Sequence, residues 1–250
     1  GTSHYFGDGF ARAFEIRFTD RQNTLQYPHQ TSWGVSTRLI GAIIMTHGDN
    51  SGLVLPPAVA PIQVMVVPVA QHKEGVAEKA SALCQRLKAR YRAGIDLSDN
   101  SPGWKFAQYE MKGVPLRLEL GPKDIEKDQC VLVRRDTREK TFVPLAELEQ
   151  HIDRLLEEIH HGLYQKALEN RERRTYTAAT MEEILSIAND PEKTGFIRTM
   201  WCEDPACEAR MKEEAGVTSR CMPLEQERLY DVCPICGKPA KSMIIWGKAY

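Results

Sequence analysis

The apolar segment at residues 31–57, TSWGVSTRLIGAIIMTHGDNSGLVLPP, constrains the fold of this chain more than any other stretch. Its apolar side chains recur at helical spacing, and further apolar residues widen that stripe until it almost encircles the helix. Thr31 or Ser32 can cap the N-terminus, and Gly48 and Asn50 end the pattern. The sequence therefore predicts one helix that is buried on most of its sides.

One charged residue, Arg38, lies in the first turn of this predicted helix. An isolated arginine on an apolar helix can extend its guanidinium to solvent, and the periodicity alone favours that interpretation. The neighbouring Gly34 and Thr37 favour a second one, because a rigid guanidinium beside exposed backbone suits a planar anionic or aromatic ligand. Trp33 adds a flat wall next to that spot.

The segment closely resembles the third signature motif of the prolyl-tRNA synthetases, a family of class II aminoacyl-tRNA synthetases. Further matching stretches are GTSHYFG, SPGWKF, KGVPLRLELGPKD, VLVRRDT and the cysteine-rich end that finishes at Tyr250. The resemblance covers essentially the whole chain and is closest to the archaeal and eukaryotic type, which has an extra C-terminal domain. It implies the C-terminal portion of a longer enzyme, since the first two class II motifs are not in this sequence.

Composition bounds what the chain can do by itself. Its 250 residues, 42% of them hydrophobic, can form one to three domains with real cores. The formal net charge is −1, so an RNA-binding surface would have to be local. No apolar run is long enough to span a membrane, and the cysteine usage fits a reducing compartment. We therefore expect a cytoplasmic protein that does not enter membranes.

Three regions follow from the residue pattern and the resemblance together. Apolar strands at 62–69, 114–120 and 130–133 alternate with helices and predict an α/β domain with a mainly parallel, mixed sheet. The resemblance implies that residues 1–60 end a class II antiparallel-sheet catalytic domain and that 61–165 form the α/β anticodon-binding domain. Residues 166–250 are expected to form a C-terminal α/β zinc-binding domain.

The resemblance also assigns roles near the start of the chain. It implies that Arg38 is the catalytic arginine, lying on the adenine and near the phosphates of ATP, with Mg²⁺ bridging those phosphates. The implied ATP-binding residues are Thr2, Thr37 and Arg38, and the implied proline-binding residues are His4, Ser32, Trp33 and Gly34. Read alone, His4 could equally be a core or surface histidine.

Basic and aromatic residues cluster around residues 104–135, a mixture that stacks unpaired bases and holds phosphates. For any single residue, a solvated charge is an equally good interpretation. For the group we favour RNA, and the expected anticodon-binding residues are Lys105, Glu110, Lys123 and Arg134. Lys105 is the leading candidate to read a base.

Four cysteines near the end of the chain have the spacing of a metal site. Four residues separate Cys202 from Cys207, and two separate Cys233 from Cys236. Four thiolates in two turns are typical of structural zinc, while two disulfides, the rival interpretation, fit a reducing compartment poorly. The resemblance further implies that the terminal Tyr250 is a neighbour of the active site.

The expected function is ATP-dependent activation of L-proline to prolyl-adenylate and transfer of proline to the 3′ end of tRNA(Pro). The full-length enzyme would be a homodimer, and this portion alone is expected to be inactive. One alternative is a non-catalytic tRNA-binding or RNA-binding zinc module with a remnant of the catalytic domain. Another is a threonyl or histidyl synthetase on the same scaffold, against which the TSWG stretch and the cysteine-rich tail argue.

Overall fold

The structure is a computed structural model that describes residues 2–248. The chain divides into two compact units, Gly1–Leu163 and Tyr164–Tyr250. Among the described residues, no helix combines the length and the apolar character that crossing a membrane would require.

The first unit opens with a small, mostly exposed segment. Its elements are β1 (Thr2–Gly7), α1 (Gly9–Ala13), β2 (Phe18–Thr19), β3 (Leu25–Gln26), β4 (Gln30–Gly34) and α2 (Arg38–His47). Strand β1 pairs antiparallel with β4, and β2 pairs with β3. Within residues 2–50, Ala11 alone is buried, so this segment has almost no core of its own.

Two predictions for α2 are wrong. Thr31 and Ser32 do not cap it, because their backbone lies in β4 and pairs with β1. The helix therefore begins only at Arg38, with Thr37 as its N-cap. The helix is also not buried: none of its residues is, and Ile40 and Met45 are 61% and 71% exposed. An apolar helix face is buried only where another part of the protein packs against it. None of the described residues covers the apolar face of α2.

A five-stranded mixed sheet forms the core of the first unit. Its strands are β5 (Val64–Pro68), β6 (Ala93–Ile95), β7 (Leu116–Leu120), β8 (Gln129–Arg134) and β9 (Lys140–Pro144), in the spatial order β6-β5-β7-β8-β9. Strand β5 is parallel to β6 and β7, whereas β8 and β9 are antiparallel to their neighbours. The predicted mixed α/β fold is thus confirmed, but the expectation of a mainly parallel sheet is wrong, because two pairings are parallel and two are antiparallel.

Helices cover both faces of this sheet. They are α3 (Val76–Lys88), α4 (Pro102–Met111), α5 (Pro122–Glu126) and the long α6 (Leu148–Arg173). Alternate residues of β5 face opposite ways, as they must in a strand. Val64 and Val66 pack with α3 and α6 in the main cluster, while Met65 and Val67 pack with Phe106 of α4 in a smaller one.

The second unit is built on a four-stranded sheet. Its elements are β10 (Thr175–Thr177), α7 (Met181–Asn189), β11 (Phe196–Trp201), α8 (Pro205–Ala215), β12 (Val217–Cys221) and β13 (Ser242–Lys248), with strand order β10-β11-β13-β12. The β10–β11 pair is parallel and the others are antiparallel. Fully buried Trp246 anchors the core and donates its indole N–H to Thr199 Oγ1 at 2.8 Å. Of the four predicted metal ligands, Cys202 directly follows β11 and the other three lie outside the strands.

Candidate metal centre and nucleic-acid interface

The four predicted cysteine ligands, Cys202, Cys207, Cys233 and Cys236, lie together. Their sulfur atoms are all within 4.8 Å of one another, and Cys202 Sγ is 3.6 Å from the sulfurs of both Cys207 and Cys236. Four sulfurs held at about 2.3 Å from one tetrahedral ion lie about 3.8 Å apart. All four are free thiols, so the arrangement fits a tetrahedral metal ion and excludes a disulfide between them in this structure.

Local structure brings the two cysteine pairs into place. Cys202 directly follows β11, and Cys207 lies in α8, where Asp204 caps the helix by accepting from the Ala206 N–H at 3.0 Å. In the second pair, the Cys233 N–H donates to Lys238 O at 2.8 Å, and Gly237 closes the turn at φ +74°. A Cβ-bearing residue would be strained at that φ, so the turn favours glycine.

The thiols of the cluster differ in how readily they ionise. Burial raises the pKa values of Cys202 and Cys207, so these thiols resist ionisation by themselves. The backbone N–H of Lys238 acts the other way on exposed Cys236 and lowers its pKa to about 7. A divalent cation at the centre would stabilise all four thiolates, which is the chemistry that zinc supplies in closed four-cysteine sites.

Two of the predicted anticodon-binding residues lie on α4 and differ sharply in exposure. Lys105 is 1% exposed, and its ammonium contacts Gln71 Oε1 and the Asp96 backbone oxygen, each at 3.0 Å, and Asp96 Oδ1 at 3.7 Å. Two of the three N–H donors of the ammonium therefore have hydrogen-bond acceptors in the protein, and the Asp96 carboxylate adds an ion pair. Glu110 is half-buried and forms a 3.1 Å ion pair with Arg138.

The other two predicted residues lie on different elements. Lys123 is exposed in the first turn of α5. Arg134, at the end of β8, makes two hydrogen bonds to Asp136 at 2.8 and 3.0 Å and one to Glu158 at 3.0 Å. Neither the exposure of Lys123 nor the pairing of Arg134 tests a role in base recognition, and all four assignments stay predictions.

A cleft of about 160 Å³ brings Glu110 and Arg134 together with basic residues that the sequence analysis did not single out. Its lining consists of Tyr109, Glu110, Val114, Arg117, Val133, Arg134, Arg135, Arg138 and Lys140. Arg117 lies over the Phe106 ring at 4.1 Å, a cation–π contact. The sequence analysis missed these residues because the pairing of β7, β8 and β9 brings together side chains that are distant in sequence. Lys105 and Lys123 are not among the residues that line this cleft.

The β1–β4 ladder gathers several of the residues expected around the proline and ATP sites. Thr2 pairs with Gly34 and His4 with Ser32, so these four share one face of the ladder. Trp33 lies between them on the opposite face and is 79% exposed. Thr37 is the N-cap of α2, and Arg38, its first residue, is exposed. Tyr250 lies outside the described residues.

Comparison with known proteins extends this picture along the whole chain. Residues 63–155 match the family described as "Anticodon binding domain", and residues 182–250 match the family described as "Prolyl-tRNA synthetase, C-terminal". This chain is 62% and 61% identical to the proteins named Proline--tRNA ligase from Ruminiclostridium cellulolyticum and Clostridium novyi. It is 60% identical to the protein named Proline--tRNA ligase 2 from Bacillus cereus. Each alignment covers 100% of this chain and 52% of the relative.

The mixed α/β unit and its match to the anticodon-binding domain family indicate the class of aminoacyl-tRNA synthetases. Within that class, the match at residues 182–250 and the relatives named Proline--tRNA ligase indicate the enzymes for proline. The chain belongs to the prolyl-tRNA synthetase family, and it spans about half the length of the curated relatives that it matches.

Proposed function

We propose that the chain works as part of a prolyl-tRNA synthetase, which uses ATP to activate L-proline as prolyl-adenylate and transfers the prolyl group to the 3′ end of tRNA(Pro). The observation that carries this proposal is the 62% identity to a protein named Proline--tRNA ligase over all 250 residues, including the first 60. A non-catalytic RNA-binding module is a weaker alternative, because that likeness is not confined to the RNA-binding and cysteine-rich regions.

In this proposal, residues 1–60 contribute to the catalytic domain. Arg38 and Thr37 contact ATP from the start of α2, and Thr2 approaches the nucleotide. His4, Ser32, Trp33 and Gly34 line the proline site. The cation of Arg38 stabilises negative charge that grows on the phosphates during adenylate formation, and Mg²⁺ accompanies ATP as its counterion. The reaction needs no side-chain nucleophile, since orientation and electrostatics suffice.

Residues 61–165 are proposed to bind the anticodon of tRNA(Pro). The cleft beside β7, β8 and α4 supports this role, because its lining combines Arg117, Arg134, Arg138 and Lys140 with the half-buried carboxylate of Glu110. Half-exposed Trp104, next to Lys105, can stack on an unpaired base. Glu110, Lys123 and Arg134 remain the proposed contacts from the sequence, together with Lys105.

Residues 166–250 are proposed to bind one structural zinc ion through Cys202, Cys207, Cys233 and Cys236. The close sulfur geometry supports this assignment. Zinc would link the end of β11, the start of α8 and the 233–236 turn, and it would take no part in adenylate chemistry. We further propose a cytoplasmic homodimer, and the 250-residue chain alone is expected to be inactive.

The proposal is tested by charging assays on the enzyme that contains this chain. Purified enzyme, ATP and labelled proline should charge a tRNA(Pro) transcript, and a transcript with a substituted anticodon should be charged at least about tenfold less efficiently. Failure to charge tRNA(Pro) by enzyme that is folded and zinc-loaded would contradict the proposed function. Equal charging of the two transcripts would instead remove the anticodon-binding role.

A further inference from the structure

The turn that directly follows α2 is bound to the anticodon-binding domain by a buried arginine. Arg135, whose side chain is 3% exposed, donates from both terminal nitrogens to Asp49, at 2.8 Å to Oδ2 and 2.6 Å to Oδ1. Its Nε donates to the backbone oxygen of Glu110, at the end of α4, at 2.7 Å. One guanidinium therefore contacts both the segment after α2 and the last turn of α4.

The backbones of these two segments also bind each other. The Leu53 N–H donates to Met111 O at 2.9 Å, and the Leu55 N–H donates to Gly113 O at 3.3 Å. Gly52 has φ +127°, and a Cβ there would lie 2.5 Å from Met111 O. Both the backbone conformation and the close approach require glycine at position 52.

The turn itself is preorganised for this contact. Asp49 and Gly52 exchange backbone hydrogen bonds of 3.0 and 3.1 Å, and Asp49 Oδ1 accepts from the Ser51 N–H at 2.8 Å. Arg138, which pairs with Glu110, also donates to Ser51 Oγ. An exposed surface ion pair commonly contributes little to the free energy of unfolding. The Asp49–Arg135 pair is expected to contribute more, because it is bidentate and is supported by close backbone packing at Gly52 and by Arg138.

We propose that Asp49 and Arg135 are positioning residues that fix α2 relative to α4, and so set the distance between the Arg38 region and the anticodon-binding surface. We call this pair with its turn the Asp49–Arg135 clamp. The inference rests on the proposed function, in which α2 contributes Arg38 to the ATP site and α4 belongs to the anticodon-binding domain. Charging a tRNA that touches both regions needs their relative orientation, whereas activating proline needs only the first.

The test uses Asp49→Asn and Arg135→Gln in the enzyme that contains this chain. A matched control is Arg86→Gln, which breaks a comparable two-bond pair with Glu149, at 2.6 and 2.7 Å, between α3 and α6. We expect both clamp variants to lower the kcat for tRNA(Pro) charging about tenfold while proline-dependent ATP–pyrophosphate exchange stays within about twofold. The control should leave both rates within about twofold.

Two further readouts distinguish positioning from general destabilisation. The Leu53 amide should exchange its hydrogen faster in both clamp variants and not in Arg86→Gln, and the double variant should be no slower in charging than Arg135→Gln alone. Parallel loss of charging and exchange, unchanged charging, unchanged Leu53 exchange, or additive effects in the double variant would each overturn the proposal. Hydrogen exchange needs no activity, so the clamp is tested even if the enzyme fails to charge tRNA(Pro).

Discussion

The Lys105 ammonium lies 3.0 Å from the backbone oxygen of Asp96 and 3.7 Å from its carboxylate, in the interior of the first unit. Burial by itself raises the pKa of Asp96, but hydrogen bonds from Ser98 and Tyr109 and the charge of Lys105 outweigh it, so the pKa lies below its ordinary range. Burial and the bond to Asp96 in turn raise the pKa of Tyr109 to about 12. Lys105 thus helps to organise the loop before α4.

Lys105→Ala is therefore expected to reduce both tRNA binding and stability. Removing one partner of a buried ion pair costs about 3–5 kcal/mol when the other partner is left unpaired. The loss should be smaller here, because Ser98 and Tyr109 still donate hydrogen bonds to the Asp96 carboxylate. Charging should fall while proline-dependent ATP–pyrophosphate exchange persists, since the proposed proline and anticodon sites lie in different regions of the chain. Urea unfolding and tRNA titration measure the two effects.

A control separates these two contributions. Gln71→Ala removes one acceptor of the ammonium and keeps its charge, so it should destabilise the domain less than Lys105→Ala does. If Lys105→Ala weakens tRNA binding while the free energy of unfolding stays unchanged, Lys105 reads the RNA directly and its structural role is minor.

The cysteine cluster should bind one zinc ion per chain through sulfur only. Chelation, or Cys233→Ser, should lower the melting temperature of the second unit, since the metal joins segments of a small domain. Cys221→Ser is the matched control, because Cys221 is exposed in β12 and lies outside the cluster. Metal analysis of protein purified without chelator measures the stoichiometry; absence of zinc, or a disulfide among these cysteines under reducing conditions, would contradict the assignment.

The Asp49–Arg135 clamp should lose its contribution to stability in acid. The hydrogen bonds from Arg135 hold the pKa of Asp49 far below its ordinary range. Because the pKa is depressed in the folded state, the stabilisation is fully present above the unfolded value of about 3.9 and is lost as the pH falls through the folded value.

Denaturant unfolding of the wild type and Asp49→Asn at pH 7 and at successively lower pH tests this expectation. The difference in the free energy of unfolding should be constant down to about pH 5 and shrink below about pH 4. In an Arg135→Gln background, Asp49→Asn should show little pH-dependent difference. A difference that grows as the pH falls would mean that Asp49 is not stabilised as a carboxylate.

Arg38→Ala should reduce proline-dependent exchange by at least about 2.7 kcal/mol of transition-state stabilisation, comparable to the loss of one preorganised charge contact. Arg38 is exposed at the start of α2 and no residue of α2 is buried, so the substitution should leave the unfolding free energy unchanged. Arg12 of α1, which pairs with Asp8 and lies over the Tyr27 ring at 4.7 Å, provides the control position. Near-normal exchange in Arg38→Ala would remove this residue from the ATP site.

Local apolar pattern predicted the central strands of the first unit. The apolar runs at 62–69, 114–120 and 130–133 correspond to β5, β7 and β8, and the buried stripe of Ile152, Leu156 and Ile159 in α6 has the same local origin. Helix α7 likewise has a local start signal, with Thr180 and Glu183 forming a capping box.

The elements and contacts that the sequence analysis missed depend on tertiary partners. Strand β9 is short, mixes polar and apolar residues, and is defined by its pairing with β8. Burial of Lys105 depends on Gln71 and Asp96, and the clamp joins residues 86 positions apart. Helix α2 is the opposite case. Its apolar composition predicted burial, but most of its residues are exposed because no described part of the chain packs against its apolar face.

The most direct test of the central claim is an ATP–pyrophosphate exchange assay with a panel of amino acids, using the enzyme that contains this chain. The account predicts exchange that depends on proline and is absent with threonine and histidine, whose synthetases share the class II core. Exchange driven by threonine or histidine, or no exchange with proline in folded, zinc-loaded enzyme, would contradict it.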